Sequence, residues 1–199
     1  MLKTTLKSAS ILTIIAMFIG LAGCILNPKD DQVPPSKPKY VYLDLTHKDD
    51  PIKNLVTAYQ EHNIVPILKL LHSLYIWRNQ EQDVAKGLQE SYSLTEEISS
   101  TRNLFLAADK RSDPSKYVEK LELTIEDGSW QPVYEFLGNP CDDCWQTTRE
   151  YFITLLVDGG ENTVYGNDLV QFTVVPVMEG GKKLYKIGRA DDVQKSTGL

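Results

Sequence analysis

Residues 50–74 read DPIKNLVTAYQEHNIVPILKLLHSL, and the breaks in this stretch set the architecture. Asp50-Pro51 is a helix start, an N-cap acceptor followed by proline at the first helical position. Ile52, Leu55, Val56 and Tyr59 then recur at i, i+3, i+4 and i+7, along one apolar face. Asn63 interrupts the pattern and can cap a second, short helix with Pro66 in its first turn. Ile67, Leu68, Leu70, Leu71 and Leu74 would supply its core. Leu74-Tyr75-Ile76-Trp77 either continues that helix or turns into a short strand.

Downstream, Ser93-Leu94-Thr95-Glu96 fits a capping box and opens a third helix. Leu94, Ile98, Thr101, Phe105 and Ala108 make its inner stripe, and Asp113-Pro114 ends it. Everything afterwards reads as strand. Residues 117–125 alternate, with Leu121, Leu123 and Ile125 on one face and Lys120, Glu122 and Thr124 on the other. Residues 149–157 and 169–177 are β-rich, and 184–189 alternates again. Gly159-Gly160 and Gly180-Gly181 are turn signals between them. Helices first and an antiparallel meander second is an α+β layout.

This order resembles the nuclear-transport-factor-2-like (SnoaL-like) superfamily over roughly residues 48–193. The family's opening helix, apolar-x-x-Ala-Tyr, is matched by Leu55-Val56-Thr57-Ala58-Tyr59, and its N-capped second helix by Asn63 to Leu71. Its last strand carries an aromatic, an isoleucine and an acid, here Tyr185, Ile187 and Asp191. The resemblance implies helices packed in a strongly curved antiparallel sheet, a cone with a pocket at its open end. A cystatin-type fold is the alternative. The family holds isomerases, dehydratases and cyclases beside non-catalytic binding modules, so fold does not settle function. The steroid isomerases of the family use a tyrosine and an aspartate at places that Leu55 and Asn79 occupy here; neither is an acid or base. Tyr59, Tyr75 or Asp83 could substitute.

The N-terminal residues point to export. Lys3 and Lys7 precede an apolar run of about 12–14 residues, short of the roughly 20 that span a bilayer. It ends in Leu21-Ala22-Gly23-Cys24, which resembles the bacterial lipobox. That reading divides the chain into a signal peptide (1–23), an acylated Cys24 with a Pro-rich tether (24–39) and one α+β domain (40–199). Fatty chains on Cys24 would make the lipid bilayer the first partner and place the domain in the bacterial cell envelope, the outer membrane in a diderm host. Apolar residues at 42% and charged ones at 24% are a globular composition. A net charge of −6 with a pI near 5.1 argues against nucleic acid as a partner.

With Cys24 acylated, Cys141 and Cys144 are left to pair as a disulfide pinning a strand-connecting loop. Free thiols, a redox pair or a metal site are the alternatives; Asp142 and Asp143 between the cysteines oppose thiolate formation. His62 and His72 fall near helix ends and read as surface or cap residues. Arg189 shares strand parity with Tyr185 and Ile187, which would aim it inward at an anionic ligand. A pair with Asp191 is the plainer reading. Arg102 carries the same ambiguity. Tyr59, Trp77, Phe105, Tyr151 and Phe172 could line a ligand pocket or be plain core. No metal or cofactor motif is present. The expectation is a lipid-anchored, non-catalytic domain that binds a small apolar or anionic ligand or a partner protein. A small-molecule isomerase or lyase of the same fold is one alternative. The other is an accessory subunit of an envelope assembly, working as a homodimer or with another envelope protein.

Overall fold

The computed structural model describes residues 40–108, 118–157 and 162–193. The signal peptide, Cys24, the tether, the Asp113-Pro114 helix stop and the Gly159-Gly160 turn lie outside the described residues. Among the described residues, no helix is long and apolar enough to cross a membrane.

Helix α1 (Asp50–Gln60) has Asp49 at its N-cap position, one residue earlier than expected and without a side-chain capping hydrogen bond, and Pro51 in the first turn. Asp50 instead accepts a hydrogen bond from the His47 amide at 2.8 Å. Helix α2 (Ile64–Leu70) has the expected cap, Asn63 accepting from the Val65 amide at 3.1 Å. It ends at Leu70, and strand β1 (Leu71–Arg78) follows at once. The expected inner face of α2 is therefore only partly right: Ile67, Leu70 and Leu71 are buried, whereas Leu68 and Leu74 are exposed. A short helix α3 (Glu81–Val84) and strand β2 (Ser91–Ser93) lead into α4 (Leu94–Ala108). Half of its capping box is in place: Glu96 accepts from the Ser93 amide, and also from the Ser93 hydroxyl, at 2.8 Å each.

The remaining strands are β3 (Val118–Ile125), β4 (Gln131–Phe136), β5 (Asn139–Val157), β6 (Asn162–Glu179) and β7 (Lys182–Val193). The sheet runs β2-β1-β7-β6-β5-β3, with β4 beside the first half of β5. It is curved and unclosed, with β2 and β3 at its ends. All pairs are antiparallel except β1 with β7, so the expected meander gains one parallel strand from the segment after α2. The helices cover one face, and one core joins Ile52 and Ile67 with Ile98 and Phe105 of α4 and Ile153, Val174 and Ile187 of the sheet.

Two hairpins turn on paired positive-φ residues. Gly180 and Gly181, at 56° and 78°, make the expected β6–β7 turn. Leu137 and Gly138, at 51° and 79°, join β4 to β5. Cys141 and Cys144 stand at disulfide distance, with Cα atoms 5.7 Å apart. They lie within β5 rather than in a connecting loop. The β4–β5 register steps there from Val133–Cys144 to Glu135–Pro140, so the pair closes a bulge of extra β5 residues.

Candidate functional site

Strands β1, β3, β5, β6 and β7 and helices α1, α2 and α4 enclose a mainly apolar cavity of about 70 Å³. One water needs roughly 10–15 Å³ by this measure, so the space suits several waters or a ligand of a few heavy atoms. The pattern of each element brings its residue there. Tyr59 continues the Ile52–Leu55 stripe of α1, Tyr75 and Trp77 share a face of β1, and Tyr151 and Ile153 share the core face of β5. Phe172 and Val170 do the same on β6.

The polar part of the wall is Glu97, Thr101, Tyr59 and Tyr75. Glu97 follows Leu94 by three residues and precedes Thr101 by four, so α4 carries a carboxylate on its buried stripe. Thr101 Oγ1 donates to Glu97 Oε1 at 3.3 Å. Burial pushes the Glu97 pKa up to about 7, against the Thr101 hydrogen bond, which lowers it. Burial and then the Glu97 charge raise Tyr59 and Tyr75 above the usual phenol value, so both stay protonated donors. The cluster can therefore donate from two phenols and both accept and release a proton at one carboxyl near neutral pH.

Of the residues expected to contact a ligand, Tyr59, Trp77, Tyr151 and Phe172 line this cavity and three others do not. Phe105 is core, packed edge-on against Tyr59 with ring centres 5.1 Å apart. Arg102 is exposed and lies with His62 along a separate surface cleft. Arg189 corrects the parity argument. Thr173 pairs Arg189 and Val174 pairs Ile187, so Gly188 is an extra residue in a bulge. Beyond it Ala190, not Arg189, faces the core. Arg189 points to the outer face, a third exposed, with Nε 2.8 Å from Asp191 Oδ1.

The enzyme-type positions resolve similarly. Leu55 lines the cavity, while Asn79 is outside its wall, accepting from Trp77 Nε1 at 3.0 Å. Tyr59 and Tyr75 are inside; Asp83 is buried elsewhere, paired with Lys86 at 3.1 Å. His72 sits on β1 with its ring edge-on to Phe136. Asp143, between the cysteines, accepts from Lys183 and Tyr185 at 2.7 Å each and from Trp145 at 2.7 Å. The Lys183 bond above all holds its carboxyl down to about 2, while partial burial works the other way. Among the described residues no group of three or more His, Cys, Asp or Glu is placed to hold a metal ion.

The sequence reading missed Glu97 and Arg149. Glu97 had a signal, a carboxylate at core spacing on an otherwise apolar helix face. Arg149 on β5 is almost wholly buried, and its Nη2 is 2.6 Å from Asp49 Oδ1 at the start of α1. Trp130 donates to the same oxygen at 2.8 Å. Burial works to raise the Asp49 pKa, but the Trp130 and Arg149 hydrogen bonds and the Arg149 and Lys53 charges hold it below the ordinary value.

No protein-family model matches the sequence, and no curated protein matches it significantly. Solved structures with a similar course of chain include a nuclear transport factor 2-like protein from Salmonella enterica, 7% identical, with a TM-score of 0.48 over 75% of this chain and 90% of that one. An NTF2-like protein of unknown function in nutrient uptake from Rhodospirillum rubrum is 11% identical, with a TM-score of 0.44 over 73% and 95%. A conserved protein from Planctomyces limnophilus is 5% identical, with a TM-score of 0.48 over 72% and 92%.

Proposed function

We propose that this chain is a lipid-anchored envelope protein whose domain binds a small, largely apolar ligand in the cavity between helices and sheet. The observation that carries the ligand reading is the cavity itself, an apolar wall with one converging polar cluster, which is the usual composition of a small-molecule site. Its modest volume points to a compact ligand. The anchor rests on the Leu21-Ala22-Gly23-Cys24 sequence alone, and labelling with a fatty-acid analogue that persists in Cys24→Ala would refute it. For the site, saturation-transfer NMR with 3-methylbutan-1-ol should show binding to the wild type and none to Val170→Phe, which fills the space. Equal binding by the variant would place the ligand elsewhere.

Glu97 supports a second reading, a small-molecule isomerase or lyase. A carboxyl with a pKa near 7 beside two protonated phenols is an acid–base arrangement suited to proton abstraction next to a carbonyl. If the site works this way, the protein should speed deuterium uptake from heavy water into 4-methylpentan-2-one, and Glu97→Gln should abolish that exchange. Absence of exchange above the buffer rate would leave the binding reading alone.

A further inference from the structure

We propose that the cavity takes a small organic amine, bound as its ammonium ion against the Glu97 carboxylate with its carbon skeleton against the aromatic wall. This rests on the reading of the cavity as a ligand site and narrows that reading to one charge class.

Among the described residues, the wall carries one charged side chain, Glu97, and no Lys, Arg or His. Among the described residues, no cation is paired with that carboxylate; its hydrogen-bond donor is Thr101 at a long 3.3 Å. The cavity thus holds an acceptor whose natural complement, a cation with N–H donors, the described residues do not supply. The second observation is independent of Glu97. Tyr59, Tyr75, Trp77, Tyr151 and Phe172 put five aromatic rings around a space of about 70 Å³. Ring faces carry partial negative charge and attract ammonium groups, most strongly where water is excluded.

Three ligand classes can be weighed against this wall. An anion meets the Glu97 charge and the ring faces with the wrong sign. A neutral apolar ligand uses the rings but leaves the carboxyl without a counter-charge, so binding it favours protonated Glu97. An ammonium ion uses both, donating to Glu97 and lying among the rings while its alkyl part covers Ile67, Ile153 and Val170. Charge and shape agree only for the cation.

The test is calorimetric titration of the full-length protein at pH 8 with three probes of nearly one shape, about six or seven heavy atoms each: 3-methylbutylamine, 3-methylbutan-1-ol and 3-methylbutanoate. The amine should bind at least tenfold more tightly than the alcohol, and the carboxylate should not bind. Glu97→Gln, which keeps side-chain shape, should abolish the amine's preference over the alcohol, and the alcohol should bind no more weakly than to the wild type. Trp77→Leu should cut the amine's preference severalfold while keeping Glu97 in place. Equal affinity of amine and alcohol, or an amine preference that survives Glu97→Gln, overturns the charge assignment and leaves the cavity reading standing. Failure of all three probes on the wild type overturns both.

Discussion

Helix α1 has an ionised carboxylate at its N-terminal end and an unpaired one beside its C-terminal end, and the two are treated in opposite ways. At Asp49, burial is answered: Arg149 and Trp130 converge on one oxygen, and the carboxyl is held ionised below the ordinary pKa. At Glu97, next to Tyr59, burial is answered among the described residues only by a long hydrogen bond from Thr101, and the pKa climbs to about 7. The first arrangement fixes the helix to β5. The second keeps a titratable group facing open space at a cost to the folded state. Paired charges inside a protein belong to its structure; an unpaired one beside a cavity is a candidate for function.

Breaking the paired end should have the largest effect. Arg149→Met removes the guanidinium and leaves Asp49 partly buried without its main partner. Loss of one member of a buried pair costs about 3–5 kcal/mol, and because Asp49 keeps a fifth of its side-chain surface the expected loss is about 3. Urea unfolding should show a lower midpoint with an unchanged slope. A loss under about 1 kcal/mol would mean that Arg149 is not the tie between α1 and the sheet.

How much of this contrast the sequence discloses depends on the range of the interactions involved. The start of α1, the Asn63 cap and the Ser93–Glu96 box are chemistry within four residues, and all were legible to within one position. Glu97 was legible in principle, since Leu94, Ile98 and Thr101 mark its face as buried. Arg149 was not: its partner lies a hundred residues earlier, and no spacing rule connects them. Strand β4 escaped because its residues are mostly exposed and do not alternate, and because Leu137 holds a positive φ where asparagine or glycine would signal a turn. The cavity depends on how side chains from eight elements meet, which no single segment encodes.

The unpaired end should reveal itself through pH. A carboxyl whose folded pKa is raised binds its proton more tightly in the native state, so stability falls as pH rises from the unfolded value of 4.5 to about 7 and is level above. A shift of this size corresponds to at most about 3 kcal/mol, and with residual solvent contact about 2 is expected. Glu97→Gln should remove that slope and be more stable than the wild type at pH 8. Asp49 runs the other way, since its lowered pKa gives stability that is present above 3.8 and lost as pH falls through the folded value. Chemical unfolding of both proteins at pH 4.5, 6 and 8 separates the two. Parallel curves for wild type and Glu97→Gln would break the contrast.

The smallest effects are expected on the outer face of β7, and they sharpen where the site ends. Gly188→Ala puts a Cβ 2.7 Å from the Phe136 ring and 3.0 Å from Val175, and should cost about 1–2 kcal/mol through overpacking. That bulge turns Arg189 away from the cavity. Arg189 pairs with Asp191 in a partly buried position at the sheet surface, where such bonds contribute about 1 kcal/mol or less. Arg189→Ala should therefore barely move the urea midpoint and leave the affinity for 3-methylbutylamine unchanged. A severalfold loss of affinity would show that the register at Gly188 differs in solution and that Arg189 reaches the core face after all. An unchanged affinity, beside its loss in Glu97→Gln, would restrict the site's charge recognition to Glu97, the charged side chain that faces the cavity among the described residues.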